Sequence, residues 1–380
     1  MRPLLWVAAV LLSAASASAD GVRAHREDMS AKVDAAIRQQ MNEQKIPGVG
    51  LAVVMNGRVV KAQGYGLANI ELQTPVTPAT IFEAGSLTKQ FVASAIMLLA
   101  EQGKLQLDDR ISKYFPEASP AMKSVTIRHL LTHTSGIPDV SDGTNETNGA
   151  LGVVGFHREY SEAELARAYL NQALEFQPGT QWSYCNAGYD LLGILIHRVS
   201  GKSYDEFLRE RIFQPLGMTT ARAFSYANII PNRASGYTLV DGEWRNDRRW
   251  WSQSITAGAA GGLWMSIRDL AKWDAALYSD RIIKQASRET MWTPLPLDDG
   301  SRYPGGMGWF IAKANGHRVV FHTNGGPGFS AVITRYLDDR LTVIVMTNLG
   351  AHHTDVMKIS GAIAEIYLPG TKGANPIKDW

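Results

Sequence analysis

Glu83-Ala84-Gly85-Ser86-Leu87-Thr88-Lys89 leads into an apolar run, Phe91 to Ala100, in which only Ser94 is polar. A helix that is apolar on every face belongs inside a protein, so a buried helix is expected here with a serine at its N-terminus. Lys89 follows Ser86 by three residues, and on a helix both side chains leave the same face about one turn apart. A cation beside a hydroxyl at the positive end of a helix dipole is one way to activate a weak nucleophile. Taken alone, the same letters also describe a capping serine followed by a solvated lysine. The remainder of the chain decides between the two.

Upstream, Met29 to Gln44 carries Val33, Ile37 and Met41 at fourfold spacing and reads as an amphipathic helix. Gly48 to Met55 and Arg58 to Gly64 read as two strands joined by Asn56-Gly57, a two-residue hairpin turn. Downstream, Gly103 ends the Ser86 helix, and residues 105 to 250 read as helical and irregular with many Pro and Gly stops. Short helices are expected over Val125 to Thr132, Ser161 to Gln172, Ala187 to Val199 and Tyr204 to Phe213, with Ser161 and Glu164 forming a capping box. Residues 141 to 156 are rich in Gly, Asn and Thr and read as a surface loop. After Gly258-Ala259-Ala260-Gly261-Gly262, Ser266 and Asp269 cap a helix with Leu270, Trp273 and Leu277 on one face.

The end of the chain turns β-rich. Met307 to Lys313 and His317 to Thr323 flank Asn315-Gly316, Phe329 to Leu337 and Leu341 to Thr347 flank Asp338-Asp339, and a helix over Asp355 to Tyr367 follows. Strands and helices at both ends imply an α+β fold: one antiparallel sheet flanked by terminal helices, with a helical lobe inserted. The expected division is an α/β lobe of residues 28–85 and 255–368, a helical lobe of 86–254, and one domain spanning 20–370. The cleft between the lobes falls where Ser86 begins its helix.

Composition narrows the function classes. The 38 basic and 36 acidic residues leave a net charge of +2, and no basic cluster marks a nucleic-acid or anionic-membrane partner. Arg248-Arg249-Trp250-Trp251 comes nearest and reads as a loop or pocket wall. Arg2, the apolar run Leu4 to Leu12 and the small residues ending in Ala17-Ser18-Ala19 read as a signal peptide over residues 1–19, cleaved after Ala19. It is too short to span a bilayer, no later stretch reaches that length, and export to a periplasm or the medium is expected. Cys185 is the only cysteine, so no intramolecular disulfide can form.

Two further stretches carry chemistry. In Pro178-Gly179-Thr180-Gln181-Trp182-Ser183-Tyr184-Cys185-Asn186, Tyr184 and Asn186 lie two apart on a non-helical segment and can face one space. A phenol beside a lysine is a route to a general base, and a carboxamide can hold an amide substrate. The competing reading is a packed aromatic and a helix N-cap. In Val319-Val320-Phe321-His322-Thr323-Asn324-Gly325-Gly326-Pro327-Gly328-Phe329, a strand carries a histidine and a threonine into glycines, where backbone N–H groups can approach a ligand. His133 reads as a residue pinning its turn, and His352-His353 lacks a third ligand at metal spacing.

Together the three stretches resemble the serine β-lactamase and penicillin-binding family in its class C-like branch, whose order is Ser-x-x-Lys, Tyr-x-Asn, then Lys- or His-Thr-Gly. The likeness extends to Leu131-Thr132-His133-Thr134-Ser135-Gly136, Gly188-Tyr189-Asp190-Leu191-Leu192-Gly193, Pro215-Leu216-Gly217-Met218 and Ala260-Gly261-Gly262-Leu263, nearly all of residues 30 to 350. The resemblance implies a β-lactamase/transpeptidase-like fold and a Ser86 nucleophile served by Lys89 and Tyr184. Asn186, His322, Thr323 and Asn324 would bind substrate, and the backbone N–H groups of Ser86 and Gly325 would form the oxyanion hole. No metal or cofactor is implied, and the expected partner is a small-molecule or peptide substrate.

Three positions depart from the pattern. His322 replaces the lysine of dedicated class C β-lactamases, Asn324 replaces the motif's glycine, and Cys185 stands where serine is frequent. The expected activity is that of a D-alanyl-D-alanine peptidase or D-amino-acid amidase. A carboxylester hydrolase comes next, then a β-lactamase, and outside enzymes a penicillin-binding sensor. Substrate and oligomeric state are not written in any local pattern; specificity is expected in residues 141–156 and 223–256.

Overall fold

The computed structural model of the chain describes residues 27–139, 158–247 and 253–371. The segment read as a signal peptide, the loop at 141–156 and the Arg248 to Trp251 tetrad lie outside the described residues. In the first half the strands are β1 (Gly48–Met55), β2 (Arg58–Asn69), β3 (Thr74–Pro75) and β4 (Phe82–Glu83). Then come β5 (Arg222–Ala223), β6 (Tyr237–Val240), β7 (Glu243–Asn246) and β8 (Leu263–Met265). Last are β9 (Phe310–Ala314), β10 (His317–Gly326), β11 (Phe329–Tyr336) and β12 (Leu341–Thr347). The principal helices are α1 (27–44), α2 (Thr88–Glu101), α3 (Glu162–Leu170), α4 (Asn186–Ser200), α5 (Ile267–Ala276) and α6 (Val356–Tyr367).

Both ends of the chain meet in one antiparallel sheet of order β3-β2-β1-β12-β11-β10-β9. Its centre is the β1–β12 pair, with Val53 opposite Val343. Side chains alternate across a strand, and the two faces bury different cores. Val49, Leu51 and Val53 of β1 pack with Val33 and Ile37 of α1 and Ile359 and Ile363 of α6. Ala52 and Val54 point the other way, into the larger core that holds α2, α4 and α5. Burial on both faces is why β1 and β12 read as almost unbroken apolar runs. Asn56-Gly57 and Asn315-Gly316 have positive φ at both residues, which is what a two-residue hairpin turn of matching twist requires.

Helix α2 is buried from Thr88 through Leu99, and Phe91 sits 5.6 Å from the Phe213 ring and 4.7 Å from Trp273. Beneath the sheet, Arg335 of β11 donates to Asp274 of α5 at 2.6 Å, and Thr342 of β12 to the same oxygen at 2.8 Å. Both charges are fully enclosed, so each stands only because the other is present. The Ser161–Glu164 capping box at α3 and the Ser266 cap at α5 form as expected.

Three expectations need correction. The stretch from 105 to 250 is not helical throughout. It supplies β5 to a small sheet of order β4-β8-β5, and the β6–β7 hairpin, whose Tyr237 N–H donates to Asn348 O at 3.0 Å. Strands of two to four residues are too short for an alternation to show. The helix expected over Tyr204 to Phe213 is α-helical only through Leu208; Arg209–Phe213 widens into a π-turn. The strand expected from Met307 starts at Phe310, because Gly308 holds a positive φ of 74°.

Candidate active site

Ser86 is positioned by two elements at once. Strand β4 pairs with β8, Glu83 opposite Trp264, and the Ala84 N–H donates to Leu263 O at 2.9 Å. The chain then passes through a 3-10 turn, Gly85–Leu87, before α2 begins at Thr88. The serine thus stands on the turn that feeds the helix, one step ahead of the helical position expected.

Lys89, in the first turn of α2, is completely buried. Its Nζ donates to Ser86 Oγ at 3.1 Å, to Asn186 Oδ1 at 2.8 Å and to the Ala260 carbonyl at 2.6 Å. An ammonium has three protons, and these three acceptors take them all. Among the described residues no carboxylate forms an ion pair with it. Tyr184 Oη donates to the same Ser86 Oγ at 2.9 Å, and Lys89 Nζ lies 4.8 Å from the Tyr184 ring. Motifs separated by 97 residues or so in the chain are therefore in direct contact: Ser86, Lys89, Tyr184 and Asn186 form one hydrogen-bonded cluster.

The supports of that cluster were only partly readable. His133 stacks on Tyr184 with ring centres 4.5 Å apart, and its Nδ1 accepts the Cys185 N–H at 3.0 Å. Burial, with help from Lys89, pushes the imidazole down to about 3, so it stays neutral and serves as a rigid wall. Phe310 lies parallel to Tyr184 on the sheet side, at 6.3 Å. Asn186 Nδ2 donates to Asp139 Oδ2 at 2.9 Å, which turns its oxygen toward Lys89. Asp190 accepts the Ala260 N–H at 2.9 Å and so holds the loop whose carbonyl receives Lys89. Burial raises Asp190 to about 6. Asp139 and the Ala260 carbonyl carry no sequence signal, one being a lone loop acid and the other a backbone atom. Cys185 is buried, and its thiol meets the Ile137 carbonyl rather than Ser86.

The third stretch behaves differently. Residues 322–326 of β10 run beyond the last β9 pair, Phe321 with Phe310, so that part of the strand is an edge. His322 is 2% exposed, stacks on Phe310 at 5.2 Å, and neither ring nitrogen has a hydrogen-bond partner. Burial first, then the charge of Lys89, holds it well below the ordinary histidine range, so it is neutral at pH 7. Asn324 shares its parity and faces the serine: the Ser86 N–H donates to Asn324 Oδ1 at 3.3 Å. Thr323 is half-buried and Gly325 exposed, and both pair only along β11, with Val332 and Ser330.

A partly exposed hydroxyl shared between a buried lysine and a phenol, beside an open strand edge, is suited to nucleophilic attack on a carbonyl. The family model described as Beta-lactamase matches residues 33–368. The chain belongs to the Beta-lactamase family. A curated relative, Penicillin-binding protein 4* of Bacillus subtilis, is 31% identical over 316 residues, covering 77% of this chain and 68% of the relative. Among solved structures, an octameric penicillin-binding protein homologue from Pyrococcus abyssi is 31% identical with a TM-score of 0.74, over 92% of this chain and 79% of that one. D-amino acid amidase from Ochrobactrum anthropi is 25% identical with a TM-score of 0.77, over 90% and 98%. The β-lactamase/transpeptidase fold and the resemblance read from motif order are both borne out, and the chain is a serine β-lactamase-fold hydrolase. No helix among the described residues of this Beta-lactamase family member is long and apolar enough to cross a membrane.

Proposed function

We propose that this protein is an exported serine hydrolase that acylates Ser86 with the acyl part of an amide, D-amino-acid amides being its preferred substrates. The observation that carries the reading is the pair of contacts on one oxygen: Ser86 Oγ lies 3.1 Å from Lys89 Nζ and 2.9 Å from Tyr184 Oη. In this reading one proton leaves the Lys89–Tyr184 pair for solvent before reaction, so that the Tyr184 oxygen, beside the Lys89 ammonium, accepts the serine proton as Oγ attacks the carbonyl carbon and then returns it to the departing amine. Water repeats the sequence on the acyl-enzyme. Asn186, fixed by Asp139 and Lys89, keeps the lysine aimed at the serine and borders the substrate.

The choice among amides follows from His322. A neutral imidazole offers a hydrogen bond but no charge, so it is a poor anchor for the terminal carboxylate of a peptide or a penicillin. Substrates uncharged beyond the scissile bond suit it better, and the likeness to a D-amino acid amidase supports that preference. The same argument keeps carboxylesters as the second reading. The test compares hydrolysis of D-phenylalanine amide, its L-enantiomer and p-nitrophenyl butyrate by wild type and Ser86→Ala. Turnover of the D-amide that is lost in Ser86→Ala is expected; activity unchanged by that substitution would end the proposal.

A further inference from the structure

Asn324 sits where the strand pattern of the resemblance has glycine, and the structure shows what its side chain does. The carboxamide is 5% exposed, its Oδ1 accepts the N–H of Ser86 at 3.3 Å, and its Nδ2 donates to Phe329 O at 3.4 Å. Gly85 makes the room for it, since a Cβ there would lie 1.9 Å from Asn324 Oδ1. When a serine oxygen attacks a carbonyl, the Oγ–C bond forms and the C=O π pair moves onto the carbonyl oxygen. The serine proton passes to the neighbouring base and then to the leaving group. The new oxyanion needs a donor within reach, and the backbone N–H of the attacking residue itself is a donor that can be near enough.

We infer that Asn324 is a built-in occupant of the oxyanion position: its amide oxygen holds the Ser86 N–H in the resting protein and must be displaced by the substrate carbonyl before acylation. This rests on the reading of Ser86 as the acylated group. Both bonds of the carboxamide are longer than the usual 2.9–3.0 Å or so for N–H donors, so the group is held weakly and can swing aside. A substrate carbonyl that replaces Oδ1 regains the same donor, whereas a poorly seated one does not. Asn324 therefore acts as a positioning and selectivity residue that slows attack on loosely bound carbonyls.

The experiment follows pre-steady-state release of p-nitrophenol from p-nitrophenyl acetate by wild type, Asn324→Gly and Asn324→Ala, each checked for an unchanged thermal midpoint. Amide hydrogen exchange at Ser86 is measured on the same proteins. Acylation faster by about tenfold or more in both variants is expected, with faster exchange at Ser86. Equal or slower acylation would overturn the inference and make Asn324 a helper of the turn. If no protein releases p-nitrophenol, this ester is not a substrate and acylation is not read by it. Exchange then decides alone: protection at Ser86 lost on removing the carboxamide sustains the occupancy, and protection unchanged refutes it.

Discussion

The cleft has two sides that are built by opposite rules. On the helical side, Lys89 donates all three of its protons, Tyr184 lies between His133 and Phe310, and Asn186 is tied at both ends of its amide. On the sheet side, His322 has no hydrogen-bond partner at either nitrogen and Asn324 is held by two long bonds. Buried polar groups are normally satisfied, so the contrast assigns the two sides different work. Under the proposed function, the groups that serve proton transfer are locked before substrate arrives, and the groups left wanting a partner are those a substrate completes.

The sharpest way to break that contrast is to unlock the helical side. Lys89→Met leaves Ser86, Asn186 and the Ala260 carbonyl without their shared donor, and acylation is expected to fall by about 10³-fold or more. If a folded Lys89→Met enzyme keeps most of its rate, the locked cluster is structural only. Tyr184→Phe keeps the ring between His133 and Phe310 and removes only the oxygen on Ser86. A loss of about 10²-fold in kcat, with little change in KM, is expected.

Asp190 tests the locked side through stability. Its folded pKa of about 6 lies above the ordinary 3.8, so in the native state it binds its proton more tightly than in the unfolded chain. That raised value makes stability fall as pH rises from about 4 to about 6. His133 and His322 act with the opposite sign: both are depressed, so stability falls as pH drops below the unfolded histidine value near 6.5. Asp190→Asn removes the opposing contribution. Relative to wild type, the variant is expected to gain about 1–3 kcal/mol between pH 4 and pH 7, read by urea unfolding at both pH values. A constant difference across that range would show that Asp190 is not held protonated by its site.

The smallest effect belongs to the sheet side. His322→Gln should raise KM for D-phenylalanine amide by about tenfold and leave kcat nearly unchanged. It should also leave the shape of the rate profile around pH 7 unaltered, because burial holds the histidine it replaces well below the ordinary range. A profile that loses an ionisation there would mean His322 is charged and working as an acid.

Legibility followed the same division. The buried helix after Ser86, both Asn-Gly hairpins and the strands from the two chain ends each have a period or turn chemistry that a sequence displays. The contact of Lys89 with Ser86 follows from three-residue spacing, and Tyr184 and Asn186 were placed by motif order. The β4-β8-β5 sheet was invisible because strands of two or three residues have no pattern, although it fixes Ser86 against the Gly258–Gly262 loop. The Ala260 carbonyl is a backbone atom and has no letter. Asn324 was visible as an anomaly, yet its meaning depended on its amide oxygen filling the space that a Cβ at Gly85 would need, which only three dimensions show.

The central claim is that Ser86 is the acylated residue, and intact mass measures it directly. Wild type and Ser86→Ala are mixed with D-phenylalanine p-nitrophenyl ester and quenched in acid within seconds. A D-phenylalanyl adduct on wild type and none on Ser86→Ala is the expected result. The same adduct on Ser86→Ala, with hydrolysis undiminished, would contradict the account.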